Sequence, residues 1–271
     1  MIVISLARRY LVKVCFVGDI VGAAGKRAFC SIMPRFKAEC GIDCLIVNAE
    51  NSTHGMGVSL NVINELMSAG ADGFTLGNHS FSNKDFITQA VKVKNCARPA
   101  NLTPSWPGYD YFVFEKGNER LGVFNLLGQV FMDNNADSPF PKADEIIEKL
   151  KNEERCTSVF LDFHAETTSE KIVMGRYLDG RATVVAGTHT HVQTADEKIL
   201  PGGTGYITDA GMTGAEDSVL GMKTETSMTR LVSKMSARYE PASGPAVICG
   251  IVFNTDVSGR CLEIRRFCEY E

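Results

Sequence analysis

The chain has 271 residues, enough for one large domain with a substantial hydrophobic core. Hydrophobic residues make up 44% of the sequence and charged residues 22%, proportions that exclude disordered, collagen-like and coiled-coil proteins. The formal net charge is −4, so the chain lacks the basic surface expected of a protein that binds duplex nucleic acid. A small anionic substrate is still compatible with this charge, provided that a bound cation attracts it.

The amino-terminal segment and the cysteines indicate where the protein functions. No stretch of about 18 uninterrupted apolar residues occurs, so we expect no membrane-spanning helix. Arg8 and Arg9 follow the short apolar segment 2–7, which is the reverse of the order in a signal peptide. The nine cysteines include no CxxC pair and several lie in apolar runs, as reduced, buried thiols do. We therefore predict a cytoplasmic protein in which residues 1–10 form a dispensable leader.

Hydrophobic periodicity along the chain predicts an α/β protein, because short apolar runs alternate with segments of helical spacing. Buried strands are predicted at residues 12–17, 44–47, 74–76, 159–163 and 183–186, and helices at 26–38, 60–69, 83–93, 142–152 and 169–178. Two hairpins, 109–115 with 120–127 and 246–255 with 260–268, imply a second, more antiparallel sheet. Since no linker is visible, we predict a single domain, residues 1–271, with two packed sheets and helices outside.

Polar side chains follow five of the predicted strands, at the point where each strand ends. They are Asp19, Glu50 with Asn51, Asn78 with His79, His164, and His189 with His191. Ligands of open α/β sheets bind beyond the carboxyl ends of the strands, so we expect these side chains to converge. His189 and His191 are two positions apart, and in an extended segment such residues point the same way. Any one of these residues alone is more typical of a turn, a helix cap or a hydrogen-bonded core position.

Taken together, the donor types at these strand ends are typical of a metal centre. Imidazoles, carboxylates and carboxamides without thiolates suit Mn, Fe or Zn and do not suit a structural cysteine-zinc site. Six or seven ligands exceed the needs of one tetrahedral ion, whereas two ions that share a carboxylate would use them all. Two metals about 3.5–4 Å apart stabilise both the attacking and the leaving oxygen in phosphoryl transfer. His54 follows no strand and is more typical of a surface loop residue.

The strand-end residues lie within motifs that can be compared with known families. The motifs are VGDIVG (17–22), NAENSTHGMG (48–57), GNHSF (77–81), RPAN (98–101), LDFHAETTSEK (161–171), GTHTHVQTADEKILPGGTGYITDAGMTG (187–214) and DSVLG (217–221). Their order resembles the calcineurin-like metallophosphoesterase superfamily, and more specifically its bacterial YmdB-like branch, from residue 12 to the end. The resemblance implies a four-layer α/β/β/α sandwich with two transition-metal ions, Fe foremost and Mn or Zn as alternatives. It also implies hydrolysis of 2′,3′-cyclic nucleotides to 3′-nucleotides, by attack of a metal-activated hydroxide on phosphorus.

Residue by residue, the resemblance assigns roles to the strand-end side chains. The implied ligands of the first metal are Asp19, Glu50, Asn51 and His191, and those of the second are Glu50, Asn78, His164 and His189. Glu50 would bridge the two ions. His79 resembles the catalytic imidazole that contacts the phosphate and protonates the leaving oxygen.

Two positions depart from the pattern of the wider superfamily. The usual D-x-H at the first strand is Asp19-Ile20-Val21, so Asn51 would fill the place of the missing histidine. Ser80 follows His79 where the superfamily often has an acid, so that position supplies no carboxylate to orient the His79 ring.

The residues leave several alternatives open. The same centre would serve a broader phosphatase acting on phosphoproteins or nucleotide monoesters. It would also serve a metal-loaded regulatory or RNA-associated protein with little turnover. The expected partner is a small cyclic phosphodiester, and a homo-oligomer is left open.

For some other segments the sequence predicts no definite catalytic or metal-binding role. The Gly-rich segment 201–214 is either a phosphate- or ribose-contacting loop or a turn and strand that pack the sheet. Asp209, Glu216 and Asp217 lack the spacing of metal ligands. The methionines of residues 222–235 are expected to fill gaps in the packing.

Overall fold

Fourteen strands and six helices form in the computed structural model, which describes residues 11–132 and 135–271. The expected leader, residues 1–10, lies outside the described residues. The strands are β1 Lys13–Val17, β2 Asp19–Ile20, β3 Cys44–Asn48, β4 Gly73–Thr75, β5 Cys96–Ala97, β6 Tyr111–Lys116, β7 Glu119–Leu127, β8 Ser158–His164, β9 Val184–Thr188, β10 Lys198–Ile199, β11 Gly205–Ile207, β12 Met212–Ala215, β13 Ala246–Thr255 and β14 Cys261–Tyr270. The helices are α1 Gly22–Cys40, α2 Leu60–Ser68, α3 Lys84–Gln89, α4 Pro139–Glu148, α5 Thr168–Tyr177 and α6 Thr224–Leu231.

Each predicted strand and helix is present, with its ends moved by a few residues. The predicted helix 83–93 is the α-helix α3 continued by one 3₁₀ turn, Ala90–Lys92. The predicted helix 142–152 begins at Pro139, a residue suited to a first helical turn, and ends in a π-helical turn, Lys149–Glu153. No described helix combines the length and the apolar character that crossing a bilayer requires.

The strands form two mixed sheets. The first has the order β2-β12-β13-β1-β3-β4-β5, with β14 also paired to β13, and the second has the order β10-β11-β9-β8-β7-β6. The expectation that the two hairpins build one antiparallel sheet is wrong. β6 and β7 belong to the second sheet, whereas β13 and β14 belong to the first. The hairpins separate because β7 is buried along residues 121–127 and pairs in parallel with β8, while β13 pairs with β1.

Three hydrophobic cores show how the layers stack. Alternate residues of one strand face opposite sides of a sheet, so Val14 and Phe16 of β1 lie between the two sheets while Cys15 and Val17 face the helices. α1, α2 and α3 cover the outer face of the first sheet, and α4 and α5 cover that of the second. Between the sheets, the Phe16 ring lies 4.9 Å from that of Phe160, centroid to centroid. The predicted four-layer α/β/β/α sandwich is thereby confirmed.

The carboxyl ends of parallel strands from both sheets meet at one edge of the sandwich. In the first sheet β1, β3 and β4 run parallel, and in the second β7, β8 and β9 do. The expectation of a crevice in one open sheet is therefore corrected, because the strands that carry the polar ends come from two facing sheets. Asn48 of β3 donates a hydrogen bond across the gap to Asp162 of β8, with Nδ2 2.9 Å from Oδ2.

The methionines of residues 222–235 were expected to fill gaps in the packing, and for two of them this is wrong. Met228 on α6 and Met235 after it are exposed, by 54% and 60% of their surface. Ser227 is the only buried residue of α6. This helix therefore lies on the surface and contributes to none of the three cores.

Candidate metal centre

Glu50 lies at the middle of the candidate site, directly after the Asn48 end of β3 and Ala49. It is fully buried. Its Oε1 lies 3.1 Å from His164 Nε2 and accepts a hydrogen bond from Asn51 Nδ2 at 3.0 Å. Its Oε2 accepts a hydrogen bond from the backbone N–H of His79 at 3.0 Å. The carboxylate therefore lies between two sets of polar side chains, each with members from both sheets.

The first set surrounds the ring of His164. His164 Nε2 lies 2.9 Å from Asn78 Oδ1, 3.1 Å from His189 Nδ1 and 3.1 Å from Glu50 Oε1. The potential ligand atoms of Glu50, His164 and His189 all lie within 4.8 Å of one another. The structure thus brings together the four side chains that the resemblance assigned to the second metal.

The second set lies on the other side of Glu50, around His191. His191 Nε2 is 3.4 Å from Asp19 Oδ2 and 3.4 Å from Asn51 Nδ2. Asn51 presents its amide nitrogen here, and a half-turn of the amide would present Oδ1, the atom that a cation requires. The four side chains assigned to the first metal are thereby also brought together, with Glu50 common to both sets.

The ring of His164 is oriented by two groups behind it. Its Nδ1 lies 2.9 Å from Thr188 Oγ1, and the Thr188 hydroxyl donates to Asp162 Oδ1 at 2.6 Å. This chain of hydrogen bonds places the proton on Nδ1 and directs the lone pair of Nε2 into the centre, as partners behind metal-bound histidines do. Asp162 was not singled out from the sequence. Its signal was the spacing Asp-Phe-His in a strand, which places Asp162 and His164 on the same face.

The other two histidines are oriented in the same manner. His189 Nε2 lies 3.2 Å from Glu166 Oε2, which leaves Nδ1 to face the centre. His191 Nδ1 donates to the backbone carbonyl of Leu220 at 3.0 Å, which leaves Nε2 to face the centre. Each of the three rings therefore has an acceptor outside and directs its other nitrogen into the centre, the orientation in which a histidine binds a cation.

Electrostatics couple Glu50 and His164 strongly. Burial acts to raise the pKa of Glu50, but the charge and hydrogen bond of His164 outweigh it and lower that pKa to about 2. Burial acts to lower the pKa of His164, but the Glu50 carboxylate, helped by Asp19, raises it to about 9. Burial, together with the neighbouring His164, lowers the pKa of His189 to about 3. A cation placed between Glu50 and His164 would take the place of the His164 proton, because metal ligands bind in their deprotonated form.

Two further observations show that the residues fit bound metal. Asp19 is fully buried, and its Oδ1 has no hydrogen-bond partner among the described residues. A buried carboxylate oxygen without a partner is costly unless a ligand satisfies it. At Gly77, an added Cβ would lie 2.1 Å from Glu50 Oε2 and 2.6 Å from His164 Nε2. Only glycine therefore allows these two side chains to approach each other.

The segment that carries His189 and His191 is not extended. β9 ends at Thr188, and the φ angles of the two histidines are +94° and +64°. The two rings converge on the centre, but the expected reason, a shared strand face, is wrong. Non-glycine residues rarely adopt positive φ without a surrounding structure that holds them there.

A buried ion pair holds this segment in place. Asp209 Oδ2 accepts hydrogen bonds from Lys171 Nζ at 2.7 Å, from Thr190 Oγ1 at 2.6 Å and from the Thr190 N–H at 3.2 Å. Both charged side chains are 1% exposed. Thr190 lies between the two histidines, so the pair fixes the backbone that presents both rings. Asp209 was given no role from sequence, because spacing alone cannot show that a distant lysine neutralises it.

Removing the anchor of Thr190 is expected to weaken metal binding. Asp209→Ala leaves Lys171 buried without a partner and frees Thr190, so we expect metal affinity to fall by about 10–100-fold, the range seen when groups behind metal ligands are lost. Metal affinity is measured by competition with a chromophoric chelator, and unfolding of the chelated protein reports the accompanying loss of stability. Glu240→Ala, which breaks the exposed Lys223–Glu240 pair, is the control and should change neither. Unchanged affinity in Asp209→Ala would show that Thr190 needs no anchor.

His79 lies at the edge of the first set, with its Nε2 3.4 Å from Asn78 Nδ2. Its ring lines the same cavity as Glu50 and His189, and its Nδ1 is 3.5 Å from Ser82 Oγ. Within the described chain, no carboxylate lies at ion-pair distance from this ring. Ser80, where an acid often stands, donates instead to the carbonyl of Gly77.

The remaining candidates lie away from the centre. His54 is exposed, as are Glu216 and Asp217, and none of the three is among the described residues that line the cavity. Residues 201–214 contain β11 and most of β12 and are not among the described residues of the cavity wall, which favours the packing alternative for them.

Several known proteins are similar to this chain over most of its length. The family model described as YmdB-like protein matches residues 15–267. A 2′,3′-cyclic-nucleotide 2′-phosphodiesterase from Bacillus subtilis is 41% identical over 244 residues, which are 90% of this chain and 91% of that protein. A crystal structure from Mycoplasma pneumoniae, described as a novel phosphatase, has 35% identity and a TM-score of 0.90, and covers 97% of this chain and 95% of its own.

A more distant structure shows the fold alone. It is a proposed 5′-nucleotidase from Staphylococcus aureus, with 13% identity and a TM-score of 0.58 over 95% of this chain and 54% of its own. The match to the family model and the 41% identity to a relative of similar length establish the family. The chain belongs to the YmdB-like protein family.

Proposed function

We propose that the protein is a metal-dependent phosphodiesterase that hydrolyses 2′,3′-cyclic nucleotides to 3′-nucleotides. The observation that carries the proposal is the pair of nitrogen and oxygen donor sets that share the fully buried Glu50. The Bacillus subtilis relative, named as a 2′,3′-cyclic-nucleotide 2′-phosphodiesterase, supports the substrate class.

The donor sets define which residues would hold metal. Asp19, Glu50, Asn51 and His191 would bind one ion, and Glu50, Asn78, His164 and His189 the other. Two ions held there would supply Lewis-acid charge to the phosphoryl oxygens and activate the attacking water. The mixture of imidazole and oxygen donors without thiolate favours Fe or Mn.

His79 would act on the substrate rather than on the metals. Its backbone N–H donates a hydrogen bond to Glu50, which places the residue beside the centre, and the ring lines the cavity without an acidic partner in the described chain. From there the imidazole can bind the phosphate and donate a proton to the leaving ribose oxygen. General-acid assistance of this kind contributes about 10²–10⁴-fold in rate.

The charge of the cavity wall favours a diester over a monoester. The described residues that line the cavity include no lysine or arginine. The metals and His79 would therefore have to neutralise the negative charge of the phosphate alone. A cyclic diester bears one negative charge, whereas a monoester near neutral pH bears close to two, so the diester suits this wall better. The nine free cysteines support a cytoplasmic location, where thiols stay reduced.

The experiment compares substrates with the metal-loaded protein. We expect 2′,3′-cyclic AMP to be hydrolysed with a higher kcat/KM than 3′-AMP or p-nitrophenyl phosphate, and chromatography to identify 3′-AMP as the product. Faster hydrolysis of the monoesters would favour the broader phosphatase. Formation of 2′-AMP would contradict the assigned bond cleavage.

A further inference from the structure

The cavity that contains the candidate centre is also lined by apolar side chains, here called its apolar end. It has a volume of about 650 Å³, within the range of cavities that hold small ligands. The polar end is formed by the centre, with Glu50, His79 and His191. The apolar end is formed by Met56, Leu220, Leu231 and Tyr239, whose side chains are between 44% and 60% exposed. Large apolar side chains exposed together in a concave wall beside a reactive centre mark a ligand-binding surface.

The ring of Tyr239 is held in a fixed position. The Arg230 guanidinium lies 4.4 Å from the ring centroid, and its Nη1 donates to the carbonyl of Ala237 at 2.8 Å. Arg230 is not part of the cavity wall, whereas Tyr239 is. The cation therefore covers the ring of a residue that contributes to the cavity wall.

Ser227 of α6 supplies an unused polar group beside these apolar residues. It is 2% exposed and lines the cavity, and its hydroxyl has no hydrogen-bond partner among the described residues. A buried hydroxyl without a partner costs stability unless a ligand completes it. Its position in the wall, close in sequence to Leu231, points to a ligand with a polar edge and an apolar face.

A hydrogen bond links the apolar end to the metal centre. The Leu220 carbonyl accepts the hydrogen bond from His191 Nδ1, so the residue that orients this ring also contributes to the apolar wall. Pro241 pairs with Met222 and packs on Gly55, where an added Cβ would lie 2.7 Å from the proline ring. The segment is thereby held against the loop that follows Glu50.

We propose that the apolar end binds the base of the nucleotide, with the base stacked on Tyr239 and its polar edge bonded to the Ser227 hydroxyl. This proposal rests on the proposed function, because the phosphate must lie at the centre for the base to reach Tyr239. A nucleobase combines a flat apolar face with a hydrogen-bonding edge, which matches the two kinds of group found here. Loss of one base–aromatic stack lowers affinity by about 5- to 100-fold.

The test compares a substrate that has a base with one that lacks it. Metal-loaded wild-type protein is expected to prefer 2′,3′-cyclic AMP over ribose 2,3-cyclic phosphate by about 5- to 100-fold in kcat/KM, mainly through KM. Tyr239→Ala should reduce this ratio towards one, and Tyr239→Phe should preserve it. Ser227→Ala should reduce the ratio by a smaller factor without destabilising the protein, because its hydroxyl has no partner to lose. Met228→Ala changes an exposed apolar residue of the same helix outside the described wall, so it is the matched control and should leave the ratio unchanged.

Several outcomes would overturn the proposal while leaving the phosphodiesterase assignment intact. Equal kcat/KM of the wild type on the two substrates would do so, as would an unchanged ratio in Tyr239→Ala. An unchanged ratio together with dissociation of an oligomer in Tyr239→Ala would show that the apolar end is an interface between copies of the chain.

A binding measurement separates the two proposals. If neither cyclic substrate is hydrolysed, the proposed function fails, and calorimetry with 3′-AMP and ribose 3-phosphate still decides the base site. Tighter binding of 3′-AMP that is lost in Tyr239→Ala would support the site, and equal binding of the two ligands would overturn it.

Discussion

Glu50→Gln is expected to remove metal and activity together. The carboxylate is fully buried and common to both donor sets, and a neutral amide cannot balance the charge of two cations. Loss of a group behind a metal ligand costs about 10–100-fold in metal affinity or activity, so loss of the shared ligand should cost at least about 100-fold. Elemental analysis of protein purified without chelator, with hydrolysis measured on the same sample, provides the check.

Glu166→Gln is the matched control for this variant. Glu166 contacts the outer nitrogen of His189 and is half exposed, so its loss should stay within the 10–100-fold range. Two retained ions with normal turnover in Glu50→Gln would refute the shared role of Glu50. A variant that lost turnover but kept its effect in the cell would favour the regulatory alternative.

His79→Ala and His164→Ala are expected to fail in different ways. His79 lies beside the donor sets, so its variant should keep most of its metal while kcat falls by about 10²–10⁴-fold, the contribution of a general acid. His164 lies at the middle of one set, so its variant should lose metal first and activity as a consequence. Metal content and turnover are measured side by side for both variants.

The choice of substrate separates two roles for His79. A p-nitrophenyl ester has a leaving group that needs no proton, so His79→Ala should lose less activity on it than on a cyclic nucleotide. An equal loss on both substrates with metal retained would make His79 a phosphate-binding group. Equal metal loss in His79→Ala and His164→Ala would instead make His79 a metal ligand.

The strand ends could be predicted from the sequence because local patterns determine them. An apolar run followed by Gly-Asn-His or Gly-Thr-His is visible within a few residues, and parallel strands direct such ends to one edge. The pattern could not show which strands belong to which of the two sheets. Whether a hairpin joins one sheet or the other depends on pairing with strands more than a hundred residues away, as β1 pairs with β13.

Some groups behind the ligands could not be found for the same reason. The pairing of Lys171 with Asp209 depends on burial and distance rather than on spacing, whereas the Asp-Phe-His spacing gave a local signal for Asp162. The expectation for the methionines of residues 222–235 was wrong, because residue type alone does not determine burial. An apolar residue type indicates core or cavity wall equally well, and only the structure shows that α6 lies outside the three cores.

Stepwise return of metal to the chelated protein tests the central proposal, a two-metal centre built around Glu50, most directly. Apoprotein is titrated anaerobically with Fe²⁺ or Mn²⁺ while hydrolysis of 2′,3′-cyclic AMP and bound metal are both recorded. We predict that activity rises until two equivalents are bound per chain and is absent from the chelated protein. Full activity at one equivalent, or undiminished turnover in the chelated protein, would contradict the two-metal centre.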